Sequence, residues 1–296
     1  MSTFRTLLLT TLAMLAFAGN SLLCRMALNT TTIDAGSFTL IRLLSGALML
    51  GFIVGRRGGL AIAPAKLSGR WAAAIALFIY AICFAVAYVS LPAATGALLL
   101  FGAVQVTMIG YGLWRGERLS GMQTLGVVAA LAGLVGLLLP GVSTPPLGGA
   151  VLMLGAGVAW GIYSLLGQGV INPIETTGGN FLRAVPLALL LSLTFRSELV
   201  WDGAGALYAL ASGAIASGLG YALWYQALPG LKSAQAATVQ LSVPILAAIG
   251  ATIWLQEPIT LRLGLAAVAV LGGIALVIGS SPPSPPPLGR SDSASL

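Results

Sequence analysis

Three groups of residues in this chain have the types and spacing to hold or gate a solute. The first is aromatic. Tyr80, Phe84 and Tyr88 recur every fourth residue, so on a helix they share one face. Tyr221, Trp224 and Tyr225 make a second stripe, and Trp160 and Tyr163 a third. Such faces hold an aromatic ring through stacking and edge contacts worth about 0.5–1.5 kcal/mol each beyond area burial. They also attract organic cations through cation–π interaction. The second group is polar: Asn20, Ser21, Gln105, Gln235, Thr238, Gln240 and Ser242 interrupt otherwise apolar runs. Uncharged amides can bind both ends of a zwitterion without burying a charge of their own. Hydrogen bonding between helices is the ordinary alternative, at about 0.6 kcal/mol on average.

The third group is charged or backbone-breaking. Arg42 and Arg183 fall within apolar segments, Glu117 and Glu257 close others, and Pro186 and Pro244 interrupt two more. An arginine at mid-helix costs about 2.5–3.5 kcal/mol on membrane-insertion scales, so it must face protein or water. It could attract a carboxylate, or it could snorkel or bond carbonyls of a neighbouring helix. Because the arginine recurs, a structural or gating role is expected for Arg42, Arg183, Glu117, Glu257 and Pro244. The prolines free carbonyls that a hinge could use.

Other chemistry is excluded by what is missing. The chain has no His, and its two cysteines, Cys24 and Cys83, lack metal-ligand spacing, so neither a metal site nor a disulfide is expected. No P-loop and no carboxylate pair within an apolar run are present, which argues against an enzyme, an ATP-driven pump or any cofactor. The same lack of a mid-membrane carboxylate leaves a proton relay without a carrier, and favours facilitated diffusion.

The elements that must position these groups are membrane-spanning helices. Of 296 residues, 58% are hydrophobic and only 7% charged, against roughly 25% charged in soluble domains. The mean hydropathy is +0.99. Continuous apolar runs of about 20 residues predict an all-α integral membrane protein of ten transmembrane helices. They fall near 6–27, 34–55, 71–90, 94–114, 121–139, 148–168, 178–195, 204–225, 234–255 and 262–279. The first mimics a secretory signal through Arg5 and Ala16-Phe17-Ala18, but is expected to remain as an uncleaved helix. In these terms Tyr88 and Tyr225 lie near helix ends, where an interfacial aromatic belt is the ordinary role. Tyr80 and Trp160 lie near the middle of their spans.

The net charge of +7 is distributed by side. With the N-terminus inside, nine basic residues (Arg5, Arg56, Arg57, Lys66, Arg70, Arg115, Arg118, Lys232 and Arg290) fall on the cytoplasmic side, and three (Arg25, Arg196 and Arg262) near outer ends. That asymmetry sets both termini of a multi-pass protein in the cytoplasm. No basic cluster interleaved with aromatics argues for nucleic acid. The expected partners are a small-molecule substrate and the lipid bilayer, with monomer and homodimer both open.

Several features recur at a spacing near 140. Phe38-Thr39-Leu40-Ile41-Arg42 answers to Asn180-Phe181-Leu182-Arg183, and Leu91-Pro92 to Leu228-Pro229. Trp114-Arg115-Gly116-Glu117 answers to Trp254-Leu255-Gln256-Glu257, and Gly126 and Gly133 to Gly264 and Gly272. Residues 1–141 and 142–280 are thus read as two five-helix repeats, with 281–296 a disordered cytoplasmic tail. An odd number of spans inverts the second repeat, giving two near-mirror packings around a central cavity, which is a transporter signature.

These motifs resemble the ten-helix, EamA-type branch of the drug/metabolite transporter superfamily over roughly residues 6–279. The resemblance implies a basket of helices with a cavity lined mainly by helices 1, 3, 4, 6, 8 and 9, and export of a small metabolite across the bacterial inner membrane by alternating access. Within the superfamily the chain is most similar to exporters of aromatic amino acids and related aromatic or cationic drugs. The substrate residues this implies are Asn20, Tyr80, Phe84, Tyr88, Gln105, Trp160, Tyr163, Tyr221, Trp224 and Tyr225. Another solute of the superfamily, such as a nucleobase or sugar derivative, is the alternative. An intramembrane enzyme or a passive pore is a remote one.

Overall fold

A computed structural model describes residues 3–57, 68–116, 118–141, 144–194, 200, 202–231 and 239–280. Among them run ten helices: α1 (Thr3–Thr30), α2 (Ala35–Arg57), α3 (Trp71–Ser90), α4 (Ala93–Trp114), α5 (Gly121–Leu138), α6 (Leu147–Leu166), α7 (Pro173–Thr194), α8 (Gly203–Gly230), α9 (Ser242–Trp254) and α10 (Leu261–Gly279). Eight are long and apolar enough to cross a membrane. Of the other two, α7 has 22 residues but carries Glu175, Asn180 and Arg183 in its first half, and the described part of α9 has 13. The protein is an all-α integral membrane protein, and its outward side chains suit lipid: Leu190 is 62% exposed and Val268 75%.

Polar residues set the breaks between these helices. Ser120 and Gln123 form a capping box at the start of α5, and Thr260 and Asp202 cap α10 and α8 through the backbone N–H groups of Leu263 and Gly205. Trp114 and Trp254, both largely exposed, end α4 and α9, and each is followed two residues on by left-handed backbone: Gly116 at φ 92° and Gln256 at φ 54°. Only glycine takes that conformation without a steric cost.

The packing pairs off in a regular way. Helix α6 packs on α3 and α4, and α1 on α8 and α9. Helix α3 meets α7 as α2 meets α8, while α2 packs on α7 and α5 on α10. Each contact maps onto another, or onto itself, when helix n is exchanged with helix n + 5. Small residues make the close approaches. A Cβ on Gly126 would lie 2.5 Å from the Gly273 carbonyl oxygen, and one on Gly273 would meet the Gly126 oxygen in turn. Gly264 and Gly272, the glycines that answer to Gly126 and Gly133 in the sequence, face open space, and Gly273 makes the crossing.

One helix departs from α geometry. Within α8, Ala211–Leu219 is a π-helix, flanked by α-helical Gly203–Leu210 and Gly220–Ala227. Pro186 lies inside α7, and Pro244 is the third residue of α9, with helical Val239 and Gln240 shortly before it.

Candidate functional site

At the centre of the bundle a cavity of about 40 Å³ is walled by rings. Phe17, Asn20 and Ser21 face it from α1, Tyr80 and Phe84 from α3, and Leu100 and Phe101 from α4. Trp160 of α6, Ala216, Ser217 and Tyr221 of α8, and Gln240 ahead of α9 complete it. Trp160 is the hub. Its ring stacks on Tyr221 at 5.5 Å and 18° and on Tyr163 at 5.1 Å and 28°, and meets Tyr80 at 4.8 Å. Tyr80 continues to Phe84 at 5.3 Å, Phe84 to Tyr88 at 4.7 Å edge-on, and Tyr221 to Phe17 at 5.6 Å. The cavity is close to the share of liquid volume of one water, about 30 Å³, whereas an engineered cavity of about 150 Å³ holds benzene. In this closed arrangement the rings fill one another's faces, and an aromatic guest enters only when they part.

Beside the rings lies a polar cluster drawn from four helices. Arg42 of α2 is 1% exposed and donates through Nη2 to the Tyr80 hydroxyl at 2.9 Å. Asn20 donates to the same hydroxyl at 3.3 Å and accepts from Ser212 of α8 at 2.7 Å. The Arg42 guanidinium carbon stands 5.1 Å from the Tyr80 ring centre and 5.0 Å from that of Phe84. Its Nε and Nη1 have no acceptor among the described residues. Neither structural role expected from the sequence, snorkelling or bonding a neighbouring carbonyl, describes it. The repeat partner is unlike it: Arg183 is half-buried and donates to the Gly179 carbonyl of its own helix at 3.1 Å.

Contacts tie helix ends together at both ends of the bundle. At one end Arg25 pairs with Glu257 at 2.8 Å, both side chains nearly buried, and also donates to the carbonyls of Tyr88 and Val89. The second Glu257 oxygen accepts from the Ala93 N–H at 2.7 Å, the first residue of α4. This clasp joins α1, α3, α4 and α9, and satisfies orphan groups at two helix ends. It lines a pocket of about 300 Å³ bounded by Thr95, Leu137, Pro146 and Leu263. At the opposite end the chain at Ser68–Arg70 crosses the start of α7. Ser68 bonds Thr176 at 2.9 Å, and Asn180 accepts from the Arg70 N–H at 2.9 Å.

Of the residues singled out in the sequence, Asn20, Tyr80, Phe84, Trp160 and Tyr221 face the cavity. Tyr163 and Trp224 are buried one ring behind it, against Trp160 and Phe17, and Asn180 donates to the Tyr163 hydroxyl at 3.4 Å. Tyr225 accepts from Thr177 at 3.3 Å, away from the cavity. Tyr88 is fully buried, not part of an interfacial belt, because α4 begins directly over it: its hydroxyl donates to Ala93, and Gly96 leaves the slot its ring fills. Gln105 is half-buried on α4 and does not line the cavity. Pro244 borders a lateral apolar groove between α4, α9 and α10. Glu117 lies outside the described residues, as do Gln235 and Thr238. Cys24 and Cys83 are free thiols.

Sequence reasoning missed Phe17, Leu100, Phe101, Ala216 and Ser217. A signal existed for Phe17, which shares a helix face with Asn20 and Ser21 at spacings of three and four. Arg25, an isolated charge closing an apolar run like Glu257, carried the signal for the clasp.

Comparison with known proteins gives a consistent context. Residues 147–279 match the EamA-like transporter family. The chain is 60% identical over 286 residues to an uncharacterized protein of Pseudomonas aeruginosa, covering 97% of this chain and 96% of that one. It is 29% identical over 170 residues to an uncharacterized transporter of Archaeoglobus fulgidus, covering 55% and 59% respectively. A protein of known crystal structure superposes with a TM-score of 0.64 at 19% identity, over 92% of this chain and 96% of the other, which is a likeness of fold.

Proposed function

We propose that this chain, whose residues 147–279 match the EamA-like transporter family, moves small aromatic metabolites, aromatic amino acids foremost, across the bacterial inner membrane by alternating access. The observation that carries the cargo is the midplane box, in which Tyr80, Trp160 and Tyr221 present ring faces to one cavity. A guest ring would replace the contacts these side chains now make with each other, so binding is a near-even exchange. Weak binding suits a carrier that must release what it takes up. The buried Arg42 beside the box disfavours the cationic drugs that the aromatic faces alone would admit.

Two inverted halves, residues 1–141 and 142–280, supply the movement in this reading, supported by the regular exchange of contacts between helix n and helix n + 5. The charge asymmetry sets the Arg25–Glu257 clasp at the outer mouth and the Ser68–Thr176 contact at the inner one. Export is the direction taken from the family likeness. Without a carboxylate at mid-membrane among the described residues, we favour transport down the solute's own gradient over proton antiport.

Counterflow in proteoliposomes tests this. Vesicles loaded with unlabelled phenylalanine or tryptophan should accumulate labelled phenylalanine, and vesicles loaded with threonine should not. Equal counterflow with threonine, or none with any aromatic, would remove the cargo assignment. Accumulation driven by an imposed pH gradient would remove the gradient-only assignment.

A further inference from the structure

We propose that Arg42 is the anion-binding subsite of the central cavity, and that the cargo class it selects is the aromatic carboxylate, including aromatic acids that carry no amino group. This rests on the aromatic-cargo reading above and sharpens it to a charge.

The argument is a count of donors and acceptors. A guanidinium carries five N–H donors and cannot be deprotonated in a protein. One nitrogen of Arg42 reaches the Tyr80 hydroxyl, and the other two have no acceptor among the described residues although the side chain is 1% exposed. The Tyr80 oxygen takes hydrogen bonds from both Arg42 and Asn20, which leaves its own O–H to donate. Asn20 has committed its carbonyl oxygen to Ser212. The cluster is therefore rich in donors and poor in acceptors.

Among the described residues no carboxylate balances it. Four of the chain's seven acidic residues are described, and all four are engaged elsewhere. Asp34 accepts from the Ser37 and Val200 N–H groups, Glu175 from Asn172, Asp202 from Gly205, and Glu257 from Arg25 and Ala93. In the sequence Glu117, Glu198 and Asp292 fall outside the apolar spans. A buried cation left unpaired is costly, and buried charges elsewhere are paired or hydrogen-bonded. The Tyr80 and Phe84 faces that cover the guanidinium are the same rings that line the cavity. When those rings part to admit a guest, the guanidinium faces it, and the Tyr80 hydroxyl stands between the two. A carboxylate supplies the missing acceptors and charge. An ammonium group finds no acidic partner there, so the site does not require one.

The test is isothermal titration of the purified chain in nanodiscs with four ligands of one ring and different charge: phenylacetate, phenylacetamide, phenethylamine and phenylalanine. Phenylacetate should bind at least about tenfold tighter than phenylacetamide, the gain expected from charge-assisted hydrogen bonds. Phenylalanine should bind no tighter than phenylacetate, and phenethylamine weakest. Amide or amine binding as tightly as the carboxylate would overturn the inference while leaving the aromatic reading intact. Failure of all four to bind would overturn that reading, and this inference with it. Arg42→Gln should erase the carboxylate advantage while leaving phenylacetamide affinity within about threefold, and Arg42→Lys should keep part of it. Loss of amide binding in a monodisperse Arg42→Gln protein would assign Arg42 to packing and overturn the inference. If that variant does not fold, the ligand series on the native chain decides.

Discussion

Replacing Glu257 by Gln should open the mouth that the clasp closes, by an amount that follows from its bonds. The carboxylate accepts from the Arg25 Nε at 2.8 Å and from the Ala93 N–H at 2.7 Å. Hydrogen bonds to an ionised partner contribute about 1.5–3 kcal/mol, and neutral ones about 0.5–1.5 kcal/mol. The amide keeps one acceptor for two donors and no charge. The Arg25 and Glu257 side chains remain 12% and 14% exposed, so water offsets part of the loss. The net cost to the closed state is about 2 kcal/mol, or roughly a 30-fold rise in the open-to-closed ratio if the clasp exists only when closed. Cys24 is a native reporter, since it precedes Arg25 in α1 and is fully buried. In a Cys83→Ala background in detergent, its labelling by a charged maleimide should accelerate at least about tenfold in Glu257→Gln, because labelling follows the open population. Arg25→Gln should act similarly, and the double variant should fall well short of the sum, because both remove the same pair. Labelling within about twofold of the parent, or full additivity, would refute the clasp as the element holding that mouth shut.

Other consequences are local. Trp160→Ala should weaken aromatic counterflow at least about tenfold, because three rings lose their shared partner, whereas Trp254→Ala, at an exposed helix end, should leave it nearly unchanged; equal losses would make the box ordinary packing. Gly126→Leu forces α5 from α10 and should destabilise by about 1–3 kcal/mol in thermal unfolding, while Gly264→Leu, with open space around it, should be near neutral. Gln256→Gly should raise the melting temperature, gaining about 0.5–1 kcal/mol by relieving left-handed backbone at φ 54°; a fall would mean the Gln256 side chain outweighs that cost.

The fold was legible because each span is a long apolar run, and α3 begins and ends where hydropathy alone sets it, at Trp71 and Ser90. The recurrence of Trp114–Gly116 as Trp254–Gln256 was legible too, and its physical content is a helix end followed by left-handed backbone in both cases. Other features were not. Gly272 and Gly273 are neighbours in sequence, yet on a helix they are a turn of about 100° apart, one in open space and the other at the α5 contact. Tyr88 reads as interfacial by distance along its helix, but burial depends on Gly96 of the next helix making room, a pairing no local pattern reveals. Arg42 was legible as costly. That its hydrogen-bonded partner is a tyrosine hydroxyl, with no acid beside it among the described residues, is a fact of three dimensions.

The hardest wall to read was α8, and the reason is its period. Ser212 bonds Asn20, Ala216 and Ser217 face the cavity, and Tyr221 stacks on Trp160, so residues spaced by four or five and then again by four or five look inward. At about 3.6 residues per turn, Ser212 and Tyr221 are nine apart, or two and a half turns, and would point to opposite sides. The π-helical stretch Ala211–Leu219 widens the turn through i→i+5 bonding and brings them to one side. Small residues make this wide turn fit: a Cβ on Gly213 would collide with the Arg42 carbonyl, and one on Gly218 with Met49. The same stretch thus aligns one ring of the box, the serine that anchors Asn20, and the backbone against Arg42. A return of this segment to α geometry would rotate Tyr221 away from Trp160 while leaving Ser212 in place. That couples the ring face to the polar cluster within one helix.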